Sequence, residues 1–326
     1  MPDRTQPLAG NPIAELLAAT QLGPRQASKS LSLWPLLLRE EAEPPRCPEY
    51  VSLGTALAKG LVVVDEVSEG GSVPHVRVSN RGEAAVLLLF GEEIRGAKQN
   101  RVANASFLVG PGSSVVLDVS CVEAGRWHRS PGAHFAAGEA IVSNSLRRKM
   151  AHKVAMARSL GEGFRADQGE VWDEIAERIQ YARASSRTSA YADYRASRAG
   201  DLEAIGRSFR PVPRQVGFVA ALGDEVVGLE MLGSPAVFAE SFRALLHGYA
   251  IDAVDAAFVR ARDGAPAGTR PRFDAPEPFL AAVARARLDA RRSLGLGEDL
   301  RLEHAEVGGC ALACGGLVHA TAFPQA

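Results

Sequence analysis

The densest run of reactive side chains in the sequence is Gly91-Glu92-Glu93-Ile94-Arg95-Gly96-Ala97-Lys98-Gln99-Asn100-Arg101. Carboxylates can take or give a proton, and cations such as Lys98 and Arg101 can hold an anionic group, Arg with two parallel bonds to a carboxylate or phosphate. Gln99 and Asn100 add neutral donors and acceptors suited to fixing a polar ligand. The run follows an apolar stretch, 84–90, so its polar groups begin where the chain leaves the core, a usual place for sites. A loop that only had to turn needs about two to five residues and no such set of long side chains. In a continuing strand Glu92 and Glu93 point to opposite faces, so one of them faces a pocket, and the sequence does not say which.

A second group lies in 114–127. Val115, Leu117, Val119 and Cys121 alternate onto one face, and Glu123 is next on it, so a carboxylate continues an apolar row. Glu123 is either a general acid/base or half of a partly buried ion pair with Arg126. Cys121 is a nucleophile if a nearby cation stabilises its thiolate, and otherwise a small buried hydrophobe. Trp127 could stack on a base or sugar, or close the edge of a core. The candidate catalytic residues are thus Glu93, Glu123 and Cys121. The candidate ligand-binding residues are Glu92, Lys98, Gln99, Asn100, Arg101, Arg126 and Trp127. Residues 91–127 hold four acidic and four basic side chains, so an ordinary internal charge network is the competing reading.

Other chemistry is weakly signalled. His128 and His134 match no metal-ligand spacing, and neither a metal nor a cofactor is expected. Residues 126–214 carry 16 Lys and Arg against 10 Asp and Glu, with Arg147, Arg148, Lys149 and Lys153 on one helix. Without an aromatic platform this reads as a solvated helical face and nucleic acid is not the expected partner, with a scaffold or nucleic-acid binder working through these helices as the alternative. No Walker loop, nucleophile elbow or dinucleotide fingerprint after a strand is present.

At Gly91-Glu92-Glu93 with Gly96 to Arg101, then Ser120-Cys121-Val122-Glu123 and Gly125-Arg126-Trp127, the chain resembles a prokaryotic family, the ADP-ribosylglycohydrolase and rhodanese-phosphatase-superfamily-associated protein domain. The resemblance runs from about Pro35 to the C-terminus and takes in Val171-Trp172 and Val216-Gly217-Phe218. Ala124 stands where a polar residue would be expected, which makes that position dispensable. The resemblance implies a role beside enzymes that handle ADP-ribose and phosphate esters, and a small anionic ligand of the ADP-ribose, NAD-derived or otherwise phosphorylated kind. Such a name speaks of association, not of a reaction.

The elements that would position these residues follow from periodicity. Stretches 61–67, 73–78, 84–90, 103–109 and 114–122 read as strands separated by Gly, Asn and Pro turns. Past Pro131-Gly132 the pattern turns helical over 143–160, 171–181 and 190–205. Strands return at 215–222 and 225–232, followed by a helix from Pro235 with Phe238, Phe242, Leu245 and Tyr249 on one face. A helix over 279–294 and strands at 300–307, 310–314 and 317–323, joined by Gly308-Gly309 and Gly315-Gly316, complete the pattern. The expected fold is α+β: an antiparallel β-sandwich or open barrel built from N-terminal and C-terminal strands, with a helical insertion at 140–207. Residues 1–45 read as an N-terminal extension and 46–326 as one composite domain.

Bulk properties exclude several classes. Hydrophobic residues make up 46% and charged residues 23% of the 326, and 37 Lys and Arg face 38 Asp and Glu, so no global field steers the molecule to nucleic acid or anionic lipid. The longest apolar runs fall far short of the roughly 20 residues that span a bilayer. The start MPDRTQP lacks a signal-peptide core, and the expected compartment is the cytoplasm. The cysteines, Cys47, Cys121, Cys310 and Cys314, are too scattered for a disulfide scaffold. On one strand, Cys310 and Cys314 would lie about 13 Å apart, beyond bridging reach.

Overall fold

The computed structural model describes residues 10–67, 74–96, 98–126, 135–262 and 272–325. In chain order it begins with α1 (Pro12–Ala18), β1 (Thr20–Leu22), β2 (Gln26–Ser28) and β3 (Leu31–Leu38). Next come β4 (Tyr50–Ser52), α2 (Leu53–Ala58), β5 (Val62–Glu66), β6 (His75–Asn80), β7 (Ala85–Leu88), β8 (Glu92–Arg95), β9 (Arg101–Ala103), β10 (Phe107–Val109), β11 (Ser114–Cys121) and β12 (Ala136–Ile141). Four helices follow: α3 (Asn144–Leu160), α4 (Gln168–Ala182), α5 (Tyr191–Ser197) and α6 (Ala199–Gly206). The chain ends with β13 (Gln215–Leu222), β14 (Glu225–Leu232), α7 (Pro235–Val254), α8 (Ala256–Arg262), α9 (Pro276–Arg285), β15 (Arg287–Arg292), β16 (Glu298–Glu303), β17 (Val307–Ala313) and β18 (Leu317–Pro324). The fold is α+β, with antiparallel sheets, one a half-barrel and one built from N- and C-terminal strands.

Two compact units share the chain, one made of 1–48, 204–293 and 297–326, the other of 49–203 and 294–296. In the first, β3 pairs with β1, β2 and β13, and the sheet continues through β14, β18, β17 and β16 to β15. One face of it, with Leu36, Val219, Leu229, Ala311, Ala320 and Leu300, forms an apolar core with Ile13 of α1 and Phe279 and Val283 of α9. The facing side carries Phe218, which packs edge-on to Phe238, Phe242 and Tyr249 of α7. That is the apolar stripe expected for this helix, and Ser234 caps its N-terminus as Pro235 opens it.

Two local expectations fail here. The helix expected over 279–294 ends at Arg285, where Ala286 turns to an extended conformation, and the next six residues form β15. Ala, Leu and Arg favour helix intrinsically, but pairing along β16 from Arg287 opposite Glu303 to Arg292 opposite Glu298 prevails. Gly308-Gly309 is not a turn but lies inside β17. A Cβ on Gly309 would stand 2.2 Å from the Thr321 carbonyl oxygen, so this glycine serves close approach of strands.

The second unit holds a half-barrel in the order β12-β8-β9-β11-β6-β5 and a small sheet β10-β7-β4. Its apolar core includes Val62, Val64, Val76, Val78, Ile94, Ala103, Leu117 and Val119. Helix α3 starts on Ser143, whose hydroxyl accepts the Leu146 amide, and stops at Gly161 in the left-handed region. The helix expected over 190–205 is broken at Arg198 into α5 and α6.

Candidate functional site

The half-barrel becomes polar at the end where β5, β8, β9 and β11 meet. Val115, Leu117, Val119 and Cys121 share one face of β11, and Cys121 sits opposite Arg101, itself opposite Ile94. Glu66 ends β5 on the row begun by Val62 and Val64. Glu93 pairs with Val102, so its side chain leaves the sheet on the face opposite to Arg101. The sequence-derived candidates therefore gather at one strand end but divide between two faces.

Glu123 is the hub of the first group. Its Oε1 accepts from Arg126 Nε at 2.8 Å and the Thr188 hydroxyl at 2.9 Å, and its Oε2 from Arg126 Nη2 at 2.7 Å and the Asn100 amide at 3.2 Å. Four donors fill the four lone-pair directions of this carboxylate. Burial pushes Glu123 upward, yet Arg126, Thr188 and Asn100 outweigh it and hold the carboxyl below its ordinary value. Gln99 donates to the Glu123 carbonyl at 2.8 Å and accepts from Arg101 at 3.0 Å. Asn100 accepts from Arg126 and from the Gly96 amide, which ties the β8–β9 loop to the same hub.

Arg101 is fully buried, 3.4 Å from Cys121 Sγ and 3.8 Å from Glu66 Oε1. Cys121 lies beneath it, and burial pushes its thiol up against the pull of Arg101, which favours the neutral form. The Lys98 backbone amide donates to Glu66 Oε1 at 3.3 Å, and its side chain is half-buried. Trp127, His128 and His134 lie outside the described residues. Among the described residues no group of three or more His, Cys, Asp or Glu side chains is placed to hold a metal ion.

Of the two adjacent glutamates, Glu93 is the one that enters the charged cluster. Arg95 Nε stands 3.0 Å and Arg195 Nη2 3.4 Å from its Oε2, and its Oε1 is buried with no hydrogen-bond partner among the described residues. Burial, reinforced by the charge of Glu123 and opposed by Arg95, pushes Glu93 up to about 7. Glu92 turns back to accept the Leu89 amide at 2.9 Å, and burial pushes it up to about 7 as well.

Helical residues that no short motif marks complete the site. Arg195 comes from α5, whose Tyr194 receives a bond from Arg178 at 3.2 Å and whose Tyr191 hydroxyl accepts the Ser143 amide at 3.0 Å. Arg178 is locked to Glu174, and Glu174 to Lys149, which holds α3 and α4 together. Arg147 is fully buried, with its methylenes where a Cβ on Gly91 would stand, 2.5 Å from Cδ. Arg147 therefore does not belong to the solvated basic face expected over Arg147, Arg148, Lys149 and Lys153, while Lys153 keeps 39% of its side chain exposed. Gly125 meets Thr188 so closely that a Cβ would lie 2.9 Å from the Thr188 Cα. Glu66 was within reach of sequence reasoning, since it continues an apolar alternation as Glu123 does. Thr188 and Arg195 carry no such local signal.

Together these features define an α+β protein with a buried, internally paired carboxylate–guanidinium cluster at the polar end of a half-barrel. A family model for the ARG and Rhodanese-Phosphatase-superfamily-associated Protein domain matches residues 19–323, and the chain belongs to that family. No curated protein and no solved structure matches it. Among the described residues no helix is long and apolar enough to cross a membrane.

Proposed function

We propose that the cluster around Glu93 and Glu123 binds a phosphorylated metabolite of the ADP-ribose or NAD-derived kind and that Glu93 exchanges a proton with it. The observation that carries this reading is the divergence of two neighbouring carboxyls: Glu93 is pushed up to about 7 while Glu123 is held below its ordinary value. Environments that drive paired carboxyls apart are how proteins prepare one group to carry a proton at neutral pH. Glu123 accepts from four donors and serves as the anchor, while Glu93 keeps Oε1 for a reacting group. Arg95 and Arg126, paired with Glu93 and Glu123 but with 38% and 25% of their side chains exposed, present positive charge to a phosphate at the rim, beside the half-buried Lys98. The family's association with ARG and rhodanese-phosphatase superfamily proteins supports this ligand class.

Purified protein incubated with ADP-ribose, NAD and related phosphate esters should convert one of them, read by chromatography. Glu93→Gln should lower turnover on the order of 100-fold while binding persists. Absence of both binding and turnover across the panel would sink the proposal. The saturation of Glu123 favours one second reading, a module that only binds: ligand then raises thermal stability by mass action without conversion, and Arg126→Ala weakens that shift.

A further inference from the structure

The polar valences at this strand end are unevenly met. Four guanidinium groups here already face a carboxylate: Arg126 grips Glu123 with two bonds, Arg95 and Arg195 share Glu93 Oε2, and Arg101 stands beside Glu66. A bare phosphate drawn inward would have to take a cation from a buried carboxylate, leaving that charge uncompensated in a dry place. Among the carboxylates at this end, Glu93 Oε1 and Glu66 Oε2 are the buried oxygens with no hydrogen-bond partner among the described residues. Glu93 Oε1 belongs to a side chain 1% exposed, and it has no hydrogen-bond partner among the described residues. A buried oxygen of this type is costly to leave unanswered. A hydroxyl answers it in either protonation state, since it donates to a carboxylate and accepts from a carboxylic acid.

From this we infer that Glu93 Oε1 is the recognition point for a sugar hydroxyl, so that the ligand is a ribosyl phosphate or similar phosphorylated polyol whose phosphate stays at the exposed rim of Arg95. The inference rests on the proposed function and specifies which end of the ligand enters. Two guanidinium groups on Oε2 fix the carboxyl plane and leave Oε1 as its one unanswered corner. Glu66 provides an internal control: its Oε2 is also buried without a partner, but its side chain lies on the sheet face that Glu93 leaves.

Calorimetric titration of the full chain with ribose 5-phosphate, 2-deoxyribose 5-phosphate and inorganic pyrophosphate tests it. Ribose 5-phosphate should bind at least 10-fold more tightly than the deoxy compound, and more tightly than pyrophosphate. Glu93→Gln should reduce that discrimination, and Glu66→Gln should leave it intact. Equal affinity for the two sugars, or pyrophosphate binding best, overturns the inference and leaves the wider proposal standing. Discrimination lost in Glu66→Gln but kept in Glu93→Gln overturns the placement. Failure of these sugar phosphates and of the ADP-ribose and NAD panel to bind at all overturns both. Because the wild-type comparison needs no variant, the test survives if Glu93→Gln does not fold.

Discussion

Both units bury carboxylates, but they treat them differently. In the unit built on the long sheet, Glu230 is fully buried, and its Oε1 accepts from the Tyr249 hydroxyl at 2.8 Å and the Thr321 hydroxyl at 3.1 Å. Its Oε2 stands 3.2 Å from His319 Nε2, and β16 of the same sheet holds Asp299 and Arg301 in a two-bond pair. In the half-barrel unit, Glu93 is just as buried but, among the described residues, has two partners on one oxygen and no hydrogen-bond partner on the other. Buried charge alone therefore does not mark a site. Once both oxygens are met the group serves to hold strands and helix in register, and where one is left unmet a ligand has something to complete.

That contrast can be broken most decisively at Glu230. Glu230→Ala strands Tyr249, Thr321 and His319 in a dry interior and should cost about 3 kcal/mol or more, read as a lowered urea midpoint. A loss below about 1 kcal/mol would remove the structural half of the comparison.

Glu93 should show its difference through pH. Its folded value, about 7, lies above its ordinary 4.5, so the native state binds the extra proton and stability falls as pH rises through that window. The loss is on the order of 3 kcal/mol, largely absent in Glu93→Gln and measured as the change in urea midpoint between pH 5 and pH 7.5. Glu92 adds a slope of the same sign, so the variant flattens the profile without abolishing it. Glu123 and Glu174, held below their ordinary values, act elsewhere: their stabilisation is present above about pH 4.5 and is lost as pH falls through their folded values. An unchanged slope in Glu93→Gln would argue that its free oxygen is not a proton site.

The smallest effect is expected at Gly125. Gly125→Ala forces the Thr188 backbone outward, should cost about 1–2 kcal/mol, and should loosen the Thr188 bond to Glu123. Faster amide exchange at 186–191 is the measurement, and unchanged exchange would show that the hub does not depend on this close approach.

Much of this arrangement was legible along the chain because it is written in alternation. The alternating row of β11, the strand before Gly91 and the helix beginning near residue 143 all announce themselves in local pattern. β15 was not legible, because Arg287 to Arg292 has the composition of a helix surface and becomes a strand only through its partner β16. The candidate site shows in the sequence as two polar segments, and the local pattern allows the pairing of Arg126 with Glu123. Choosing Glu93 over Glu92 required the direction of β8 and the arrival of Arg195 from α5, about a hundred residues on. Such distant contacts leave no trace in periodicity.

One small contact bears on how the molecule avoids its own kind. Beyond Val119 no strand among the described residues lies on the outer side of β11, and the Gln168 side chain at the start of α4 takes that place, accepting from the Cys121 amide at 2.7 Å and donating to its carbonyl at 2.8 Å. A single carboxamide thus imitates the next strand, so the last rung offers no template on which a second chain could extend the sheet.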